Sequence, residues 1–178
     1  MAGKTNMMRG QIFSTEMMVS FSVFLGAIII FLFVWNTMYN NYLEEQYDTN
    51  MQVALIGISD SAVMSPGDPA NWENGAGENA SSYGFASSRN VLSSSKLYAM
   101  QGYFANDYPG MKYKMGAGSF DMYIDVTDTD GNAYYGFGIP ADTSNQSISS
   151  ISAERLAQLD GRLVKLRVQV WRVRGRGS

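Results

Sequence analysis

The chain has 178 residues with 13 basic and 16 acidic side chains, a net charge of −3, and neither histidine nor cysteine. Without histidine the commonest general base and transition-metal ligand are missing, and without cysteine no disulfide or thiolate site can form; both weigh against a hydrolase or a metalloenzyme. The mildly acidic balance gives no electrostatic footprint for nucleic acid, and we expect no enzyme activity, cofactor, metal, nucleic-acid partner or small-molecule substrate.

A short basic leader, MAGKTNMMRG, opens the chain and carries Lys4 and Arg9. Met17 to Trp35 then reads MMVSFSVFLGAIIIFLFVW, nineteen residues without a charge. At about 1.5 Å per residue a helix of that length is roughly 28 Å long, close to the roughly 30 Å hydrocarbon core of a bilayer. Basic residues flank only its N-terminal end, while Glu44, Glu45 and Asp48 follow it, so the positive-inside rule puts the leader in the cytoplasm and the rest outside. Glu16, at the start of the run, is costly there unless it is interfacial or paired. Ser20, Ser22, Gly26 and Ala27 are small enough for helices to approach closely, or are simply small residues tolerated in a membrane helix.

The junction Arg9-Gly10-Gln11-Ile12-Phe13, with the basic leader before it and Glu16 and the apolar helix after it, resembles the class III signal peptide of archaeal type IV pilins and pilin-like proteins. In that family a prepilin peptidase cuts after glycine and leaves the apolar helix as the mature N-terminus. The resemblance implies a cut between Gly10 and Gln11, a leader over 1–10, a transmembrane and filament-core helix over 11–43, and an exterior domain over 44–178. It implies an α+β ladle, a long N-terminal helix packed through its second half on a small antiparallel β-sheet domain. The implied function is that of a structural subunit, pilin or minor pilin. Such a subunit is single-pass in the membrane before assembly and part of a cell-surface filament afterwards, with other pilin subunits, the peptidase and the membrane as partners. Glu16, Ser20, Ser22, Gly26 and Ala27 would then make the assembly contacts. In one respect the chain departs from the pattern: Glu16 is the sixth residue after such a cut, whereas the family's glutamate is the fifth. The alternative reading is an uncleaved anchor holding a stand-alone exterior domain that binds a ligand or supports an envelope complex.

Beyond the apolar run, Tyr39, Leu43, Tyr47, Met51, Ala54, Ile58 and Ala62 recur at helical spacing and predict a continuing helix with one apolar stripe. Trp35, Tyr39 and Tyr42 suit either an interfacial belt or packing positions. Met64-Ser65-Pro66-Gly67-Asp68-Pro69 must end the helix. The following SPGDPANWENG resembles a segment of the same family, with Trp72 expected to plug into the base of the domain. Residues 73–88 read as a loop. Ser93 or Ser94 then caps a helix over Lys96 to Phe104, which Asp107-Tyr108-Pro109-Gly110 ends.

From Phe120 the period changes to two, and Asp130-Gly131 makes a β-hairpin with the run through Phe137. After a Ser-rich connection over 139–150, Ala153 to Leu159 fits a short helix by composition. Asp160-Gly161 and the alternation Val164, Leu166, Val168, Val170 argue instead for a second hairpin, whose final strand again resembles the family's.

The remaining constellations are weaker. Asp125, Asp128, Asp130 and Asn132 look like a calcium loop, but Val126 breaks the alternate-acid spacing, so a polar hairpin turn is the expectation. Asn79 and Asn145 head candidate N-glycosylation sequons in loops. Ser93, Ser94 and Ser95 beside Lys96 lack any nucleophile motif and read as a helix cap. Asp121 and Asp125 are an acid pair expected on a solvated edge, and Arg172, Arg174 and Arg176 are expected to form a solvated tail.

Overall fold

The computed structural model describes residues 5–75, 80–142, 144 and 147–173, with side chains described from residue 15 onward. The chain divides into two compact units, Met1–Tyr47 and Asp48–Ser178. The class is α+β. A single helix, α1 (Thr5–Met64), contributes to both units.

In the first unit α1 carries its apolar side chains in the open. In the second, Asp48–Ser178, the last turns of α1 bury Met51, Leu55, Ile58, Ala62 and Val63. The expected stripe therefore points inward from Met51 onward, with Leu55 and Val63 filling its flank. Asp60 at 2.8 Å from Arg155 fixes this helical segment beside the sheet, and Asp48 lies 3.8 Å from Arg172.

The chain continues with β1 (Gly67–Asp68), a 3-10 turn at Trp72–Asn74, β2 (Ser82–Tyr83), β3 (Ala86–Ser88), β4 (Val91–Leu92) and α2 (Ser94–Asn106). Then come α3 (Tyr108–Lys114), β5 (Asp121–Asp128), β6 (Ala133–Gly138), β7 (Ile148–Leu159) and β8 (Arg162–Val173). β1 and β2 pair with each other, and the other six strands form one sheet in the order β3-β4-β7-β8-β5-β6. The β5–β6 and β7–β8 hairpins form where their turns predicted them. In the second turn Asp160 and Gly161 both take positive φ, 50° and 81°, as a two-residue hairpin loop requires. The sheet is mixed: β4 runs parallel to β7 through Val91↔Gln158 and Leu92↔Leu159. Two-residue strands carry too little periodicity to be read from sequence.

Alternation sorts the sheet's two faces. Met122, Ile124 and Val126 of β5 and Val164, Leu166, Val168 and Val170 of β8 are completely buried. Leu97, Met100 and Phe104 of α2 join this core, and Phe137 packs its ring 5.6 Å from Phe85 and 5.2 Å from Phe104. The Asp107 segment ends α2 as expected, but it also starts α3. The Asp107 carboxylate accepts the Gly110 N–H at 3.0 Å and Pro109 sits in the first turn, where a missing N–H costs nothing.

The reversal after α1 is built around Trp72, which has no exposed surface. Its indole N–H donates to the carbonyls of Pro66 and Gly84, each at 3.1 Å, and Tyr83 meets its ring edge-on at 5.3 Å. Two glycines are obligatory here. A Cβ on Gly84 would collide with the Ser65 carbonyl, and one on Gly67 (φ 85°) would lie 2.7 Å from the Trp72 ring. Trp72→Ala removes a fully buried side chain and leaves the Pro66 and Gly84 carbonyls without this donor, so we expect a loss of about 3–5 kcal/mol. Denaturant unfolding of the full chain in detergent measures it.

Candidate functional site

The feature without a structural role inside its own unit is the apolar part of α1. It is long and apolar enough to cross a membrane by length and composition. Met17, Phe21, Phe24, Ile30, Phe33 and Trp35 are each between 62% and 73% exposed. A large apolar side chain left in water rather than buried forfeits about 1.5–3 kcal/mol, so the run as a whole forfeits on the order of 20 kcal/mol or more. That exceeds the roughly 5–15 kcal/mol by which a domain is stable.

Within the run, hydroxyls turn back onto their own helix. Ser22 Oγ donates to the Met18 carbonyl at 2.8 Å, and further along Thr37 Oγ1 donates to that of Phe33 at 3.0 Å. Each side chain is thereby satisfied without water, as an apolar surrounding requires. Glu16 is exposed at the start of the described side chains. Gly10 and Gln11 fall within α1, and their side chains lie outside those described.

The helix splits the four small residues into two pairs. At about 100° per residue, Ser22 and Gly26 lie roughly 40° apart and Ser20 and Ala27 about 20° apart, and the pairs are separated by about 130° around the axis. Nothing lies within 4 Å of where a Gly26 Cβ would be. The chain thus presents two narrow small-residue lanes, one of them with the i, i+4 spacing that lets helix backbones come together.

The candidate sites beyond the apolar helix resolve differently. Asn79 and Asn145 lie outside the described residues. Of their sequons, Ser81 is seen to donate its hydroxyl to the Asp68 carboxylate at 2.7 Å. Arg172 is the penultimate residue of β8 and only 11% of its side chain is exposed, so it belongs to the sheet and not to a solvated tail; Arg174 and Arg176 lie outside the described residues.

The acid pair is not on an edge either, because β5 lies between β8 and β6. Asp121 accepts from the Tyr108 hydroxyl at 2.9 Å and from Lys112 Nζ at 2.8 Å. Asp125, almost fully buried, accepts from Arg167 Nε at 2.8 Å, and this bond holds the guanidinium's pKa above its usual value. Asp128 closes the hairpin turn: it accepts the N–H groups of Asp130 and Asn132 and the Asn132 side-chain amide. Those donors, the Asn132 amide first, hold its carboxyl below the ordinary range. Among the described residues no group of three acids is placed to hold a metal ion.

The serine cluster is likewise bonded within the fold. Ser93 and Ser95 hydroxyls are 2.8 Å apart, and Ser94 donates to the Asp160 carboxylate across the β7–β8 turn. Lys96, at the start of the helix the sequence predicted, is buried, and its ammonium donates to the Pro66 carbonyl at 2.5 Å and the Ala86 carbonyl at 3.3 Å. Burial lowers its pKa, against the opposing pull of Glu73. Its neighbours Pro66 and Ala86 come from 30 and 10 residues away, which no local pattern signals.

No family model, no curated protein and no solved structure matches the chain. One polar site gives a pH test of the domain. Burial, aided by Asp121 and opposed by the hydrogen bond from the Met122 N–H, raises the Tyr108 pKa well above 10.0. The folded chain then keeps a proton that the unfolded chain releases above pH 10.0, so the stability this group contributes is complete below that pH and is lost as pH rises beyond it. Tyr108→Phe should lower stability at neutral pH and flatten its decline above pH 10.0; chemical denaturation at stepped alkaline pH reads both.

Proposed function

We propose that the chain is a structural subunit, pilin or minor pilin-like, of an archaeal type IV filament, held in the membrane by α1 before assembly and packed through α1 afterwards. The observation that carries this reading is the bare apolar helix, whose surface calls for lipid or for other helices. The Arg9-Gly10-Gln11 junction and Glu16 supply the likeness to prepilin processing. Passage from lipid to a helix bundle keeps the apolar surface out of water throughout, so assembly needs only close packing between helices. The Ser22/Gly26 and Ser20/Ala27 lanes give that packing two directions, one neighbour along each.

The mature N-terminus, determined by mass spectrometry on membrane and sheared-surface fractions of the native cells, tests the reading. A start at Gln11 among sheared filaments is the expected result. A start at Met1 or Ala2, found only in membranes, overturns it in favour of a stand-alone anchored exterior domain.

Gly26→Ile tests the packing directly. Overpacking a close helix contact costs about 1–3 kcal/mol, so filament yield should fall by about tenfold or more while the amount of subunit in the membrane stays the same. Yield equal to wild type would remove Gly26 from the contact.

A further inference from the structure

The sheet's open edges are treated unequally. The β6 edge is short, bulged near Val126 and Thr127, and Gln101 Nε2 of α2 donates to its Gly136 carbonyl at 3.2 Å. The β3 edge is three residues long. β7 is different: it has twelve residues in unbroken register with β8, yet β4 covers only Gln158 and Leu159 on its other side. Gln158 donates its N–H to Asn90 on that side, so by alternation the backbone groups of Ser150, Ser152, Glu154 and Leu156 point to the same edge. No strand among the described residues lies beside them.

Natural edges are blunted by lysine, proline, a bulge or an inward-pointing charge. The stretch ISSISAERL has no lysine, proline or register shift. Its one inward charge, Arg155, is neutralised within the chain by two bonds to Asp60, at 2.8 and 3.0 Å. The side chains of the free-edge residues are all exposed, including Leu156 at 62%, which no contact inside the domain explains.

We propose that this edge pairs with the same edge of a second copy, β7 against β7 in antiparallel register about a two-fold axis at Ser152. The choice of occupant follows from self-complementarity. Centring on Ser152 puts Leu156 opposite Ile148 on the outer face and Ile151 opposite Ala153 on the core face. Glu154 then faces Ser150, Arg155 faces Ser149, and no like charges meet. The Asp48–Met64 segments, which run alongside β7 and β8 through Asp60–Arg155 and Asp48–Arg172, become antiparallel to each other in the pair. A two-fold contact of this kind is closed and cannot by itself extend a filament. It stands independently of the filament reading.

The cysteine-free chain makes the test specific. Ser152→Cys is introduced into the full-length protein in detergent, and a mild oxidant is added. Opposed residues of an antiparallel pair have Cα atoms about 5.5 Å apart, within disulfide range, whereas two copies of residue 150 would be roughly 14 Å apart along the strands. The expected result is a disulfide-linked dimer with Ser152→Cys and none with Ser150→Cys. A mixture of Ser150→Cys and Glu154→Cys chains should link again. Without oxidant, light scattering should give the mass of two chains for the wild type and of one for Ser152→Lys. A monomeric wild type, cross-linking of Ser150→Cys as readily as Ser152→Cys, or a ladder of higher species instead of a dimer would overturn the proposal.

Discussion

The Pro66 carbonyl accepts two donors at once, the Trp72 indole N–H and the Lys96 ammonium. It lies two residues beyond the end of α1, where a helix leaves its last carbonyls without intrahelical partners and where Pro66 and Pro69 prevent continuation. Pro66 itself is exposed, but both of its donors, Trp72 and Lys96, are buried, so the carbonyl satisfies polar groups that the fold has taken out of water. Two donors from separate elements therefore do more than satisfy it. One comes from the turn that follows the helix and one from α2, so the end of α1, the Trp72 turn and α2 are held at a single point. The second Trp72 acceptor, Gly84, and the second Lys96 acceptor, Ala86, bring the start of the sheet to the same place.

This constraint explains why Lys96 is buried in a core that, apart from it, Ser59 and Asp125, is apolar. A lysine moved out of water is expensive unless its ammonium is bonded. Here the carbonyls repay part of the cost, and Glu73 opposes the fall in pKa that burial causes. An apolar residue at 96 would fill the space but hold neither carbonyl. The position thus exchanges some stability for a defined arrangement of three segments.

Much of the architecture was legible in the sequence because it rests on local period. The break at Pro66, the buried face of α2, and both hairpins with their Asp-Gly turns follow from alternation and turn chemistry that a window of ten residues contains. What was not legible rests on partners distant in the chain. Lys96 looks like any solvated lysine until Pro66 and Ala86 arrive. Asp121 and Asp125 look like edge acids until the strand order places β5 inside the sheet, with Lys112 and Arg167 as their cations. Arg172 looks like the start of a basic tail until β8 proves to run through Val173. The segment Asp107-Tyr108-Pro109-Gly110 shows a further limit: the same residues that stop one helix also cap the next, and composition cannot tell a terminator from an initiator. In the apolar helix the run itself was plain, but the small residues form two lanes rather than one set, a distinction that appears only when the 100° step is applied to their positions.

The two units obey opposite rules. In Asp48–Ser178 the apolar side chains of β5, β8 and α2 that form the core point inward, and the buried Lys96 and Asp125 are each bonded to a partner within the domain. Along Met17–Trp35 the apolar side chains are exposed all around the helix, and the Ser22 hydroxyl bonds back to its own backbone. A surface of that kind is specified by its surroundings and not by its own packing. Its only departures from uniform bulk are the small residues at 20, 22, 26 and 27, the positions at which another helix backbone could come closest, because bulky aliphatic side chains meet lipid and protein equally well.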